Sequence, residues 1–263
     1  MKKKKRFIVM TTTRMIMLGF LAAIVLGTIL LSLPIATKER MVTPLVDALF
    51  TATTSICVTG LSTVSMAEHW SLFGQAVILF LIQFGGLGIV TFTTTLLLVL
   101  GRRITLKERL LLQDAYNLDE LKGLVRITIR IIKGTLVVEG AGAFLSCFRF
   151  VPQYGFLRGV WLSIFHSVSS FCNAGIDLFG NESLIPYRSD VLVNLVTMTL
   201  IILGGIGFPV WWEFLGNIRE MRRKHRRNER LCFRPNLHFK LAVSATAFLI
   251  IGGALFTLIL EYN

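Results

Sequence analysis

Uncharged apolar runs alternate with short basic patches along the 263-residue chain. Ile16 to Leu33, Ser71 to Gly101 and Leu241 to Leu260 carry no charge, and Val191 to Trp212 is a fourth such run. A fifth, Gly134 to Phe148 extended backward through Ile127, carries Arg130, Lys133 and Glu139. Each approaches or exceeds the roughly 20 residues that cross a hydrocarbon core of about 30 Å, so each is predicted as a spanning helix. A core helix of a large soluble protein explains one such run, but not five in so short a chain. Pro44 to Ile56 and Phe156 to Phe171 are apolar in part and too short to span, which predicts re-entrant helices.

The two short pieces repeat one another. Leu49-Phe50-Thr51-Ala52-Thr53-Thr54-Ser55-Ile56-Cys57-Val58-Thr59-Gly60 aligns with Ile164-Phe165-His166-Ser167-Val168-Ser169-Ser170-Phe171-Cys172-Asn173-Ala174-Gly175 at a constant offset of 115. Apolar meets apolar, hydroxyl meets hydroxyl, and Cys and Gly coincide. A second match, Gly85-Gly86-Leu87-Gly88-Ile89 with Gly204-Gly205-Ile206-Gly207-Phe208, follows at offset 119. The four additional residues fall in the polar loop Asp177 to Asp190, where insertion is tolerated. The predicted fold is therefore an all-α polytopic membrane protein. Its unit is a spanning helix, a re-entrant pore helix, a Gly-containing filter loop and a second spanning helix, with the units set around a pore.

Composition agrees: 54% of residues are hydrophobic and 16% charged, and mean hydropathy is +0.68. The formal charge of +13 raises nucleic-acid binding, and placement decides against it. With a cytoplasmic N-terminus and one crossing per run, three inner stretches hold six, eight and nine Lys and Arg, and the outside holds five. That is the positive-inside asymmetry of a multi-pass protein in a bacterial inner (plasma) membrane. The Lys-rich start resembles a signal peptide, but its apolar run is long and lacks a small-x-small site, so it reads as a retained helix. Cys57, Cys147, Cys172 and Cys232 show no metal spacing, and no disulfide framework or covalently bound cofactor is expected. No His-Glu-x-x-His, nucleophile elbow or P-loop supports an enzyme.

A non-helical turn at membrane depth is tolerated where protein buries it or where it lines water. Glycine reaches φ > 0 without steric cost, which lets consecutive carbonyls face one axis. Rings of carbonyls replace the hydration shell of a potassium ion, and the C-terminal end of a preceding short helix also favours a cation. Candidate filter residues are thus Cys57, Val58, Thr59 and Gly60, with Cys172, Asn173, Ala174 and Gly175. The two cysteines are expected to pack at the filter base while the backbones of the others act. Gly85, Gly86, Gly88, Gly204, Gly205 and Gly207 are expected mid-helix, for close packing in preference to a hinge. Glu139 is the intramembrane acid; it either binds an ion or, the favoured reading, hydrogen-bonds the back of a re-entrant turn. His166 is read as structural.

The elements Thr54 to Leu61, Ser170 to Gly175, Gln83 to Gly88 and Leu203 to Pro209 resemble the Trk/Ktr/HKT superfamily of potassium transporters. The likeness covers nearly the whole chain and is closest to the N-terminal half of the bacterial membrane subunit of Trk and Ktr systems. It implies four repeats around one pore, each giving one filter glycine, and a K+ uptake function with Na+ as the alternative ion. In that superfamily a serine in place of the first filter glycine is associated with Na+ permeation; Gly60 leans to K+. The resemblance also implies a cytoplasmic nucleotide-binding regulatory partner, docking on Leu106 to Gly123 and Arg219 to Arg234. The expected organisation is a basic N-terminus (1–14), a first repeat (15–101), a cytoplasmic linker (102–126) and a second repeat (127–216). A second basic linker (217–238) and the first helix of a truncated third repeat (239–263) follow. Pairing of two copies in a homodimer supplies four filters. The alternative is a non-conducting membrane subunit that needs further repeats or a partner.

Overall fold

A computed structural model describes residues 12–88, 91, 124–226 and 236–261. Most of the basic N-terminus, the linker segment 102–123, the stretch 227–235 and Cys232 lie outside the described residues. The described chain is helical, with no strand beyond one isolated bridge between Thr37 and Trp70. Its helices are α1 (Thr12–Ser32), α2 (Leu45–Cys57), the short α3 (Met66–His69) and α4 (Leu72–Gly86). There follow α5 (Leu124–Tyr154), α6 (Phe156–Phe171), α7 (Val191–Gly205), α8 (Phe208–Arg226) and α9 (Leu237–Leu260). The chain divides into two compact units, Met1–Ile201 and Ile202–Asn263.

In the first unit α1 has two faces. Leu18, Leu21, Val25 and Ile29 are exposed along one side, while Thr28 and Leu31 are buried on the other. The spacing of three to four residues makes one stripe, and in a bilayer an exposed apolar stripe faces lipid. Gly27 lets the inner face approach α2 and α4: a Cβ there would lie 2.8 Å from a Leu81 methyl and 3.3 Å from the Ala52 Cβ. The two short helices form the core of the unit. Ala48, Thr51, Ala52, Thr54, Ser55 and Ile56 of α2 are buried, and so is most of α6. Small and hydroxyl side chains let these helices sit close to their neighbours.

The α5–α6 turn is made at Gly155, whose φ of +83° ends the long helix and reverses the chain. The connections that flank α2 and α3 are tied by hydrogen bonds to main-chain carbonyls. Ser71 N–H donates to the Ala36 carbonyl (2.9 Å), its hydroxyl to the Ile35 carbonyl (2.6 Å), and Lys38 N–H to the His69 carbonyl (3.0 Å). Asp190 starts α7, accepting the Val193 N–H at 3.1 Å and pairing with Arg149. The Val193 bond and the guanidinium hold its carboxyl below the usual carboxylate range. Phe150 meets His166 and Tyr187 edge to face and Phe179 at a tilt, and His166 meets Phe179 edge to face. His166 is buried there, 2.9 Å from the Thr197 hydroxyl.

Three expectations are corrected. The run Ser71–Gly101 is not one uninterrupted helix: α4 ends at Gly86, and Gly88 has φ +79°. Val191–Trp212 is likewise broken, with α7 ending at Gly205, Gly207 at φ +89° and α8 starting at Phe208. Gly88 and Gly207 therefore do not sit mid-helix. Each takes the left-handed conformation just past a helix end, which is how glycine terminates helices. Apart from these corrections, in the second unit α8 continues through Arg226. Arg, Glu, Met and Lys are strong helix formers, and no proline interrupts them before Pro235. Of the described helices, Thr128–Tyr154 and Leu237–Leu260 are each long and apolar enough to cross a bilayer unaided.

Candidate functional site: two glycine turns

The first turn follows α2, and the second follows α6. Val58 (φ +56°) and Gly60 (φ +76°) are left-handed in the first, Asn173 (φ +58°) and Gly175 (φ +64°) in the second. Thr59 and Ala174, between them, are not. The repeat is thus preserved in backbone handedness as well as in residue type. Val58 is the strained member, because a β-branched residue at positive φ is an outlier whereas Asn tolerates the region.

The hydrogen bonds repeat in the same register. Thr59 N–H donates to the Thr54 carbonyl at 3.0 Å, and Ala174 N–H to the Ser169 carbonyl at 2.8 Å. Leu61 N–H donates to the Thr54 hydroxyl at 3.1 Å, and Ile176 N–H to the Ser169 hydroxyl at 3.1 Å. The hydroxyl one turn before each helix end thus holds the residue just beyond each glycine. In the first turn the Thr54 oxygen also bonds the Thr59 hydroxyl (2.6 Å); in the second Ser169 donates onward to the Ile176 carbonyl. Thr54 and Ser169 stand in the sequence match, but their role is to accept a main-chain N–H seven residues on, which no side-chain pattern reveals.

The turns meet each other. A Cβ built on Gly60 would lie 2.7 Å from the Ala174 carbonyl oxygen and 3.4 Å from the Gly175 Cα; one on Gly175 would lie 3.5 Å from the Gly60 Cα. Both glycines line a cavity of about 410 Å³, walled by Ser62, Thr63, Asp177 and Asn181 among others. Among the described residues Asp177 is its one charged lining residue; its carboxylate accepts the Phe179 N–H at 3.0 Å and the Ser183 hydroxyl.

Behind the turns stands α4. A Cβ on Gly85 would lie 2.0 Å from the Ile56 carbonyl oxygen, and one on Gly86 would lie 2.4 Å from the Cys172 sulfur. One glycine makes room for the base of the first turn and its neighbour for the base of the second. Gly204 and Gly205 are the last residues of α7. Cys172 is buried, whereas its repeat counterpart Cys57 is exposed. Glu139, buried on α5, accepts from the Gln83 amide at 3.0 Å. The Cys172 sulfur lies 3.6 Å from Gln83 Oε1 and 4.0 Å from Glu139 Oε1. Ser167 of α6 donates to the Glu139 carbonyl at 2.7 Å. Among the described residues no cluster of His, Cys, Asp and Glu is arranged to hold a metal ion by side chains.

A family model described as TrkH, cation transport protein, matches residues 2–263. The potassium/sodium uptake protein NtpJ of Enterococcus hirae is 40% identical over 254 residues, which cover 97% of this chain and 53% of that protein. The Ktr system potassium uptake protein B of Bacillus subtilis is 37% identical, covering 96% and 54%, and that of Vibrio alginolyticus 34%, covering 95% and 52%. The chain spans about half the length of these curated relatives. An all-α membrane protein with a duplicated short-helix and glycine-turn unit, matched by the family model along almost its full length, this chain belongs to the TrkH family of cation transport proteins.

Proposed function

We propose that the chain supplies two of the selectivity-filter turns of a potassium uptake system, with K+ the preferred ion and Na+ the alternative. The observation that carries this reading is the paired geometry of Val58–Gly60 and Asn173–Gly175. Two backbone segments with the same alternation of handedness face each other at the ends of two buried helices. Such alternation turns successive carbonyls to one side, where they replace water around a cation. The C-terminal ends of α2 and α6 add negative potential at the same place. The names of the relatives, which speak of potassium and of potassium/sodium uptake, support the choice of ion.

In this reading the 410 Å³ cavity is the outer vestibule, and Asp177 biases it toward cations. Gly85 and Gly86 act by packing behind the turns. The chain lies in a bacterial plasma membrane with its N-terminus inside, pairs as a homodimer, and takes a cytoplasmic nucleotide-binding regulatory subunit as partner. The relatives' roughly doubled length supports a second reading, in which two turns conduct only when further repeats complete the ring.

The test is growth of a potassium-uptake-deficient bacterium at low external potassium. The chain is expected to restore growth, and Gly60→Asp to abolish it. Failure of the chain alone, with growth when the C-terminal half of a relative is co-expressed, selects the second reading. Failure in both settings with confirmed membrane insertion overturns the proposal.

A further inference from the structure

The two turns are alike in backbone but differ in what stands behind them. Through the repeat offsets, Glu139 corresponds to Ile24, and Gln83 to Ile202. The polar group at the second turn therefore has no polar counterpart at the first: the equivalent positions are both isoleucine. It also crosses between repeats, since Gln83 belongs to α4 of the first while Glu139 and Cys172 belong to the second.

Burying a carboxyl group at membrane depth is costly unless it is hydrogen-bonded. Here the partners close on one another. Gln83 donates to Glu139 and faces Cys172 with its carbonyl oxygen; Gly86, one turn along, leaves the space that Cys172 occupies. Cys172 in turn immediately precedes Asn173-Ala174-Gly175. Glu139 lies behind the turn and lines none of the cavity in front of it, so any influence on a passing ion runs through Gln83 and Cys172.

We propose that Glu139 is a specificity-determining positioning residue: with Gln83 and Cys172 it fixes the second turn so that its carbonyls match K+ better than Na+. The inference rests on the filter reading above. A fixed carbonyl spacing discriminates between ions of different radius, and a relaxed one closes on the smaller ion. The asymmetry then has a consequence. Both turns are clamped by a helix hydroxyl, Thr54 or Ser169, but the first adds a side-chain bond from Thr54 to Thr59, whereas the second has Ala174 at that place and has the Gln83, Glu139 and Cys172 group behind it.

The experiment uses the full chain in two settings: proteoliposome rubidium uptake competed by KCl or NaCl, and thermal unfolding in detergent titrated with KCl, NaCl or choline chloride. The second detects cation binding by linkage and does not require conduction. Wild type is expected to prefer K+ in binding. Glu139→Gln, which keeps an acceptor for Gln83, is expected to stay within about twofold of the wild-type K+/Na+ ratio. Glu139→Leu should lower that ratio roughly tenfold, a change of about 1.4 kcal/mol in relative affinity. Where Glu139→Leu does not accumulate, Gln83→Leu breaks the same network and is expected to shift the ratio in the same direction. A variant that melts earlier in choline yet keeps the wild-type ratio overturns the inference and leaves the filter reading standing. A wild-type chain indifferent to K+ and Na+ in both settings overturns both.

Discussion

At Gly60 two demands coincide that a side chain cannot meet together. Its φ of +76° costs an L-residue on the order of 1–2 kcal/mol, and its Cβ would press on the Ala174 carbonyl. Val58 accepts the first of these costs without being glycine, which marks a turn held in place by its surroundings. The hydroxyls of Thr54 and Ser169 are part of that hold. Thr54→Val strands the Leu61 N–H and Ser169→Ala strands the Ile176 N–H, each at about 1–3 kcal/mol. Both variants are expected to melt earlier in detergent, because each hydroxyl is buried and makes two hydrogen bonds. Thr54→Ser should restore the wild-type midpoint. Equal midpoints for Thr54→Val and wild type would show that the hydroxyl clamp carries no load. The glycines were legible in the sequence because offset 115 pairs them; the clamp was not, because its donors are main-chain groups.

The helix ends show where pattern reading stops. Phe84 to Val90 and Leu203 to Val210 remain apolar through their glycines, so hydropathy reads straight across the breaks. Glycine is common in membrane helices, and nothing in the residue types separates a packing glycine from a terminating one. The structure separates them by environment: Gly85 abuts the Ile56 carbonyl at 2.0 Å, while Gly88 has open space and positive φ. Alanine at the two positions should therefore fail differently. Gly85→Ala forces backbone apart and is expected to lose more than about 2 kcal/mol, with poor membrane accumulation. Gly88→Ala meets no neighbour among the described residues and is expected to lose about 1 kcal/mol, from conformation alone. Expression-normalised melting of the two variants checks this; a milder effect at Gly85 than at Gly88 would contradict the packing role. The short helices, by contrast, were legible nearly to the residue, because their length excludes a span and Pro44 and Gly155 mark their starts.

For the molecule as a whole, the exposed apolar stripes of α1 and the uninterrupted apolar length of α9 place it in a bilayer, and the duplicated unit places it in its family. The first unit holds both glycine turns, the two short helices α2 and α6 that precede them, and the network behind them. The repeat by itself states only that two segments are alike; their convergence was an expectation from the family resemblance, and the packing of α4 against both turn bases is what brings them face to face. The central claim is that these two turns together line a cation path. The most direct measurement is rubidium uptake into proteoliposomes holding the full chain, compared with Gly60→Ala and Gly175→Ala. The account predicts potassium-competed uptake by the wild-type chain and at least about tenfold loss in each variant at equal insertion. Uptake unchanged by alanine at both glycines would contradict it.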